Sequence, residues 1–343
     1  MKEFRIFTVG MFALGLAGCV AAGGSSPAPK ATAGEPAEIA AGQAGIAAPP
    51  LFKGAAYRGL TQHTYSEVGE DFDVSVSPDG KTILFSSTQH SENPQIYTKP
   101  VGGTAVSVLI SDPAQNMHPR FSPDGKRIIY ASDRNGNWDL FVTTLDGREA
   151  SWQVTKSVAD EIHPTWSPDG KRIAYCSWDD VYQEWRIWVM DLENHIQTDI
   201  GAGLFPVWSP KGDRIAFQKA RQRGEHWYSI WTMDLEGNRL TEVIASREWA
   251  AINPAWSADG SKIAFATVHQ SPASKKEKRI WKGDDIWVVD GNGANLIRLT
   301  TTAEPEWGPT WAPDGRIFFS STRGGRQNIW SVSPIGMELL AGR

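Results

Sequence analysis

Cysteine is scarce in this chain: only two of its 343 residues are cysteines, Cys19 and Cys176. Cys19 ends an N-terminal apolar run, whereas Cys176 lies in the strand-like segment 172–176. Two cysteines cannot build a framework of disulfides, and we expect Cys176 to be a small buried apolar side chain. Apolar burial must hold the fold instead. With 343 residues, 41% of them hydrophobic, the chain can bury a core large enough for one large repeat fold or for two ordinary domains.

An excess of positive charge is also absent. A formal net charge of -5 and a pI near 5.8 provide no general attraction to phosphate backbones, so a nucleic-acid partner is not expected. The sequence contains no phosphate-binding loop, no Gly-X-Ser-X-Gly elbow, no Cys-X-X-Cys pair and no His-Glu-X-X-His motif. No cofactor is therefore expected. Because these common catalytic signatures are absent, the sequence does not suggest an enzyme.

The N-terminal apolar run, residues 6–16, is too short to span a membrane, and it follows Lys2 and Arg5 as in an export signal. It ends in the segment 16–19, Leu-Ala-Gly-Cys, which resembles the bacterial lipobox. This resemblance implies a signal peptide over 1–18 and lipidation of Cys19, which would anchor the protein to a membrane. The residue after the cysteine is Val20 and not aspartate, as in lipoproteins that are sorted to the outer membrane. In a cell with two membranes we therefore expect the protein at the periplasmic side of the outer membrane. The alternative is an ordinary secretory peptide with a chance cysteine.

The segment after Cys19 has almost no aromatic or β-branched residues and consists largely of Ala, Gly, Pro and Ser up to about residue 50. Such a composition cannot offset the entropy lost on ordering. We therefore expect residues 19–56 to be the lipidated cysteine and a flexible tether. About 30 residues of flexible coil would span on the order of 30 Å.

The rest of the chain is organised by a repeat whose most recognisable part is a tetrapeptide of the form Ser-Pro-Asp-Gly. Consecutive copies are separated by 45, 45, 42, 48 and 55 residues, close to the period of a four-stranded propeller blade. The Asp-Gly pair favours a tight hairpin, and apolar strand-like segments flank it. The six copies begin at Ser77, Ser122, Ser167, Ser209, Ser257 and Ala312.

The repeat also explains why the chain has 16 tryptophans. Large aromatic residues recur at two fixed repeat positions, where they are expected to pack neighbouring sheets together. The first position holds Phe121, Trp166, Trp208, Trp256 and Trp311, with Val76 as the smaller exception, and the second holds Tyr97, Phe141, Trp188, Trp231, Trp287 and Trp330.

These features predict an all-β fold: a six-bladed β-propeller of four-stranded antiparallel blades over residues 57–336, expected to be monomeric, with a C-terminal tail over 337–343. Leu60-Thr61 precedes the first repeat as Leu299-Thr300 precedes the last, which predicts that an N-terminal strand completes blade six. Such closure would remove the open edges of a linear array. Residues 337–340 are the alternative closing strand.

The repeat resembles that of the TolB propeller family, especially where second strands end in 132–136, Ser-Asp-Arg-Asn-Gly, and 321–325, Ser-Thr-Arg-Gly-Gly. The resemblance covers residues 57–335 and implies a propeller of the cell envelope that binds other proteins. TolB proper has an α/β domain before the propeller and is a soluble periplasmic protein. Residues 20–56 do not match that domain, so the family's peptidoglycan-associated lipoprotein partner does not carry over directly.

In such a propeller, the loops leading into the inner strands and the loops between second and third strands share one face, here called the loop face. The Asp-Gly hairpins form the opposite hairpin face. The residue just before each inner strand is expected to form a ring around the channel mouth: Asp73, His118, His163, Phe205, Asn253 and Gly308. The residues two positions earlier are Asp71, Asn116, Glu161, Gly203, Ala251 and Glu306.

The polar members of this ring permit two interpretations. Asp73, His118 and His163, with Glu161, Glu306 and Asn253 nearby, are candidates to bind a divalent cation or to perform acid-base chemistry. The other interpretation is that they are solvated or structural residues at a wet channel mouth, with the two imidazoles too far apart for one ion.

Three long insertions lie on the loop face, over 177–184, 218–228 and 269–284. The last contains a basic run followed by a tryptophan, a composition typical of an interface hot spot. The candidate partner-binding residues are Lys275, Lys276, Arg279, Trp281, His226 and Trp227.

Two function classes follow. The first is a binding scaffold that presents loops to a protein or glycan of the cell envelope. The second is a metal-dependent propeller enzyme that uses the channel mouth, similar to polysaccharide lyases or lactonases. A third class, the propeller of a prolyl-oligopeptidase-type enzyme, would require a separate catalytic subunit.

Overall fold

The computed structural model describes residues 57–146, 150–220, 228–236, 238–270 and 281–335. These residues form six sheets of four strands, each sheet antiparallel throughout, which confirms the six-bladed propeller. The predicted signal peptide, Cys19, the predicted tether over 19–56 and the tail over 337–343 lie outside the described residues. Within the described part of the chain, no helix has the length and apolar character needed to cross a membrane.

The blades are named in chain order from the inner strand outwards, and β1 (Tyr57–Gln62) belongs to blade six. Blade one is β2 (Asp71–Val76), β3 (Thr82–Ser87), β4 (Gln95–Pro100) and β5 (Ser107–Ile110). Blade two is β6 (Asn116–Phe121), β7 (Arg127–Ser132), β8 (Asp139–Thr144) and β9 (Trp152–Gln153). Blade three is β10 (Glu161–Trp166), β11 (Arg172–Asp179), β12 (Glu184–Asp191) and β13 (Gln197–Ala202).

Blade four is β14 (Leu204–Trp208), β15 (Arg214–Ala220), β16 (Tyr228–Asp234) and β17 (Thr241–Ile244). Blade five is β18 (Trp249–Trp256), β19 (Lys262–Gln270), β20 (Trp281–Asp290) and β21 (Ile297–Arg298). Blade six is β22 (Glu306–Trp311), β23 (Ile317–Ser321) and β24 (Asn328–Pro334), completed by β1.

The Ser-Pro-Asp-Gly tetrapeptides form the hairpins between first and second strands. In blade one the Ser77 hydroxyl donates to Asp79 Oδ1 at 2.6 Å, and the Gly80 amide donates to the Ser77 carbonyl at 2.9 Å. The Lys81 amide also donates to Asp79 Oδ1, at 3.0 Å. Gly80 has a φ of 72°, a conformation that glycine adopts without a Cβ clash. The same serine–aspartate hydrogen bond occurs in blades two, three and five, so these hairpins are determined by a few residues of their own and were predictable.

The first aromatic repeat position joins neighbouring blades. Trp166 Nε1 donates to the Arg120 carbonyl of blade two at 3.3 Å, and Trp256 Nε1 donates to the Val207 carbonyl of blade four at 3.2 Å. These two indoles therefore bury apolar surface between two sheets and also satisfy their polar N–H groups. The expectation for Cys176 is confirmed as well, since this free cysteine is fully buried.

Blade six is closed by the N-terminal strand. β1 pairs antiparallel with β24, from Tyr57 opposite Pro334 to Gln62 opposite Trp330. Around this seam the Asn328 side-chain oxygen accepts hydrogen bonds from the Thr64 hydroxyl and the Ser66 amide. The prediction of N-terminal closure is confirmed.

Two insertions expected as irregular loops are extensions of hairpins. In blade three β11 and β12 stay paired up to Asp179 opposite Glu184. In blade five β19 and β20 stay paired up to Gln270 opposite Trp281. The sequence did not indicate these extensions, because polar residues in a protruding hairpin lack the apolar pattern of a buried strand.

Candidate functional site: the propeller channel

The sequence predicted that each ring residue precedes its inner strand. In the structure the ring residues lie inside the inner strands instead. In blade three Ile162 pairs with Cys176 and Thr165 pairs with Ala174, so His163 and Pro164 form a β-bulge between the two pairs. The same register shift occurs in all six blades. A bulged residue makes no ladder hydrogen bond, so a proline costs nothing there. Proline follows the ring residue in five blades, at 119, 164, 206, 254 and 309.

The bulge gives every ring residue a left-handed backbone. Gly308 adopts this conformation freely, whereas a side chain at such a position costs roughly 1 kcal/mol. Repetition of this strain around the ring shows that the bulge is a built feature of the blade. The φ angles are 55° at Asp73, 56° at His118, 54° at His163, 53° at Phe205, 52° at Asn253 and 61° at Gly308.

The ring brings three aromatic side chains into contact across three blades. The centroids of the His118 and His163 rings are 4.1 Å apart, and those of His163 and Phe205 are 3.7 Å apart. Only 8% of His118 and 7% of His163 is exposed. The two imidazoles are therefore neither solvated nor far apart, while the alternative that they are structural residues stays a prediction. Ring residues follow one another about 45 positions apart in sequence, and only closure of the propeller sets their distance.

The other side of the ring is open. A Cβ atom added at Gly308 would meet no atom within 4 Å, so blade six leaves free space in the channel. Asn253, on the blade before it, is partly exposed, and its backbone amide donates a hydrogen bond to Gln218 Oε1 at 2.9 Å. Asp73, on the blade after it, lies 3.5 Å from His118 Nε2 through its Oδ2 atom. The channel is therefore asymmetric, with stacked rings on one side and small or polar groups on the other.

Burial controls the charge of this ring. It lowers the pKa of His118, and it lowers the pKa of His163 further, with the neighbouring His118 also contributing. Both imidazoles are consequently neutral at pH 7. In the described residues Nδ1 of each has no hydrogen-bond partner, so these atoms have unused bonding capacity.

The ring offers two neutral imidazoles and one carboxylate to a ligand, and these groups suit a divalent cation. Nevertheless, the described residues contain no group of three or more His, Cys, Asp or Glu side chains that is arranged to hold a metal ion. The polar residues two positions earlier do not complete the set, because their side chains bond within and between blades. Glu306 pairs with Arg323 of its own blade, and Asp71 accepts from the Ser66 hydroxyl at 2.7 Å.

Glu161, of the same repeat position, also points away from the ring. It accepts a hydrogen bond from the Ser157 hydroxyl and lies beside Asp139 of blade two. The Oδ2 atom of Asp139 accepts a hydrogen bond from the Gln153 side chain at 2.9 Å. Burial raises the pKa of Glu161 to about 7, and burial raises the pKa of Asp139 as well. The expectation that these carboxylates and the ring meet at one spot was therefore wrong.

The hairpin-face end of the channel holds a feature that the sequence analysis missed. Arg120 lies two residues beyond His118 on β6 and lines a cavity of about 260 Å³. Trp166, Trp256 and Trp311, from three other blades, also line it. The corresponding positions of the other blades carry no charge: Ser75, Thr165, Val207, Ala255 and Thr310. Aligning this position around the repeat would have revealed the single arginine.

The loop face carries the most exposed large apolar side chains of the described residues. Val158 is 99% exposed and Val181 is 86% exposed. Tyr65, Val68 and Tyr182 follow, and all five lie in loops leading into inner strands or between second and third strands. Such clustering is informative, because isolated exposed apolar residues are common but their concentration on one face is not.

The predicted partner-binding residues are placed only in part. Trp281 opens β20 in backbone register with Gln270. The others, Lys275, Lys276, Arg279, His226 and Trp227, lie outside the described residues.

The chain resembles solved propellers of different activities. A protein assigned as TolB from Agrobacterium tumefaciens is 22% identical, with a TM-score of 0.59 over 78% of this chain and 91% of that one. An oligogalacturonate lyase from Vibrio parahaemolyticus is 12% identical, with a TM-score of 0.55 over 80% and 93%. TolB from Acinetobacter baumannii is 19% identical, with a TM-score of 0.54 over 77% and 63%. At these identities the likeness establishes the fold and not the activity.

A family model agrees with the repeat and the blades. The model of the TolB beta propeller domain matches residues 138–274 and 202–338, which together cover more than half of the chain. The matched residues contain blades three to five, three strands of blade six and part of blade two, which agrees with a propeller of this family. The chain therefore belongs to the TolB beta propeller domain family.

Proposed function

We propose that this protein is a binding scaffold of the cell envelope, whose loop face binds a protein partner. The observation that carries the proposal is the concentration of exposed apolar side chains on that face, among them Val158, Val181 and Tyr182. A protein interface gains affinity chiefly by removing such groups from water. Membership of the TolB beta propeller domain family supports the same function.

The blade-three hairpin is the best-defined part of this surface. Tyr182 packs against Arg186, whose guanidinium carbon lies 4.7 Å from the ring centroid. Arg186 is itself bonded to Glu184 at 2.6 Å and to Asp199 at 2.8 Å. An aromatic ring held by a fixed guanidinium loses little conformational entropy on binding, as expected of an interface anchor.

The proposed setting is a lipid-anchored protein at the periplasmic side of the outer membrane. Its support is the sequence of residues 1–19, with a lipobox-like end at Cys19. A Cys19→Ser variant should move from the membrane fraction to the soluble fraction and should lose incorporation of labelled fatty acid. Equal fatty-acid labelling of both proteins would refute the anchor without affecting the scaffold proposal.

The scaffold proposal is tested by site-specific photo-crosslinking in intact cells. A crosslinking residue placed at 158, 181 or 182 should capture one protein partner, and Tyr182→Ser together with Val181→Ser should abolish its capture from position 158. The matched control is position 196, because Ile196 is 63% exposed but lies on the hairpin face. The same adducts from position 196, or no protein adduct from the loop face, would contradict a protein partner.

An envelope glycan is the alternative ligand of the same face. Purified protein should then bind isolated envelope polysaccharide, and the Tyr182→Ser variant should bind it more weakly. Protein adducts together with no polysaccharide binding would exclude this alternative.

A metal-dependent enzyme is the second candidate function. It is favoured by the contact between His118 and His163, by the nearby Asp73, and by the shared fold with an oligogalacturonate lyase. Titration with Mn²⁺ should then raise the melting temperature of the wild type but not of His118→Ala or His163→Ala. If divalent ions neither bind nor stabilise the wild type, this candidate is rejected.

A further inference from the structure

The end of the channel on the hairpin face differs from the loop-face end in one respect: it contains a cation to which no acidic side chain of the described residues is bonded. Within the described residues, Arg120 forms no ion pair, and its guanidinium donates a single hydrogen bond, at 2.9 Å to the carbonyl of Pro119. A guanidinium has five N–H donors, so most of its donors remain available. Asp73 acts on Arg120 electrostatically and offsets part of its charge, but no hydrogen bond or ion pair joins the two side chains; the Oδ2 atom of Asp73 lies 3.5 Å from the neutral His118.

The surroundings of Arg120 make this unpaired charge costly. Burial lowers the pKa of Arg120, which shows that the protein environment disfavours its charged form. A buried or partly buried cation is usually compensated by an anion, because removing it from water is otherwise unfavourable. The channel supplies no such anion at the level of Arg120, where the other five blades contribute uncharged side chains.

The cavity next to Arg120 is preformed and has flat apolar walls. Trp166 is fixed by its hydrogen bond to the Arg120 carbonyl, and Trp256 by its hydrogen bond to the Val207 carbonyl. Trp311 lines a further side of the cavity. The cavity volume of about 260 Å³ is slightly below that of sites for drug-sized ligands, roughly 300 to 1,000 Å³, and therefore suits a smaller molecule.

We propose that this cavity binds a small organic carboxylate with a flat apolar body. The carboxylate accepts two parallel hydrogen bonds from the guanidinium of Arg120, the geometry in which arginine binds carboxylates best. The body of the ligand lies against the indoles of Trp166, Trp256 and Trp311. This site is separate from the proposed partner surface, which lies on the opposite face of the propeller.

Benzoate is a suitable probe, and benzamide is its uncharged counterpart of nearly the same shape. Equilibrium dialysis of the full chain should show benzoate binding at least tenfold tighter than benzamide. In spectra of ¹⁵N-labelled protein, benzoate should shift the indole N–H signals of Trp166, Trp256 and Trp311, assigned through single Trp→Phe variants. Equal affinity for the two compounds, or shifts confined to other tryptophans, would overturn the proposal.

Substitution of the arginine provides the second test. Arg120→Met should lose the preference for benzoate over benzamide, and Arg120→Lys should retain part of it, because lysine keeps the charge but not the planar pair of donors. Arg127→Met is the matched control: its guanidinium lies 5.1 Å from the Trp166 ring centroid, yet Arg127 does not line the cavity. If Arg120→Met keeps the preference, or if Arg127→Met loses it equally, the assignment is wrong.

Discussion

Blades three and six are built from the same repeat but solve the same structural problems differently. Their bulges carry His163 and Gly308, and their inner strands begin with Glu161 and Glu306 at one repeat position. Blade three is a continuous segment of chain, whereas blade six takes its outer strand from the N-terminal side. The comparison teaches that a repeat position decides where a side chain lies, while residues outside the repeat decide what it does there.

The two glutamates show this most clearly. In blade six Glu306 pairs with Ser321 in the strand register, and Arg323, two residues further, supplies the counter-charge. In blade three Glu161 pairs with Ser177, and the residue two further is Asp179. Without an arginine, Glu161 lies against a second carboxyl group, and burial raises its pKa to about 7.

Removal of β1 should have the largest effect, because it breaks blade six and leaves blade three complete. Deleting residues 57–62 exposes the edge of β24 and opens the ring. We expect a loss comparable to the whole stability of a domain, roughly 5 kcal/mol or more, measured as loss of the cooperative thermal transition. Deletion of residues 24–29 from the predicted tether is the control. A melting temperature unchanged by the first deletion contradicts the closure.

Arg323→Met should be the next most damaging change. It leaves Glu306, which is completely buried, without a counter-charge, and such a loss costs about 3–5 kcal/mol in urea unfolding. The double variant Arg323→Met with Glu306→Gln should recover much of this stability. Arg326→Met, at an exposed arginine of the same loop, should change it by less than about 0.5 kcal/mol. Equal losses for the two single variants would show that the ion pair is unimportant.

Glu161 should make the stability of blade three depend on pH. Its pKa is raised in the folded state to about 7, so the folded protein binds more protons than the unfolded chain between about pH 4.5 and 7. Its contribution to stability is therefore complete below pH 4.5 and lost as the pH rises to 7, by on the order of 2 kcal/mol.

Glu161→Gln measures this contribution, because glutamine does not titrate. The variant should gain stability relative to the wild type as the pH rises from 4.5 to 7. The buried histidines have a lowered pKa, so they make stability fall as the pH falls. Both proteins contain them, so their contribution cancels in the difference between the two free energies of unfolding. Glu92→Gln, at an exposed glutamate, is the control. A constant difference across this pH range would contradict a raised pKa.

Substitution of the bulge residue of blade six should have the smallest effect. Gly308→Ala meets no atom within 4 Å, so its cost comes from the φ of 61° and should be about 1 kcal/mol in urea unfolding. Gly308→Asn should cost less, since asparagine tolerates the left-handed region and already occupies the equivalent position of blade five. A loss of several kcal/mol in Gly308→Ala would mean that the channel is closed beside blade six.

Much of the fold was predictable because its signals are local. The Asp-Gly pairs, the flanking apolar strands and the repeated aromatics each lie within one blade, and the Leu60-Thr61 match identified the closing strand. The site was predictable only as a list of ring positions. Their placement before the strands was wrong because each inner strand continues across the bulge to earlier residues, as Glu161 and Ile162 show in blade three.

The sequence by itself determined the number of blades, the hairpins that separate them and the residues assigned to each repeat position, because these depend on interactions a few residues apart. Only the tertiary structure decided that His118, His163 and Phe205 stack, that Glu161 and Glu306 point away from the ring, and that Arg120 lines a cavity. The physical reason is that ring closure brings together residues from different blades, and the bulge sets the direction of each side chain. Neither effect leaves a signal within a single repeat.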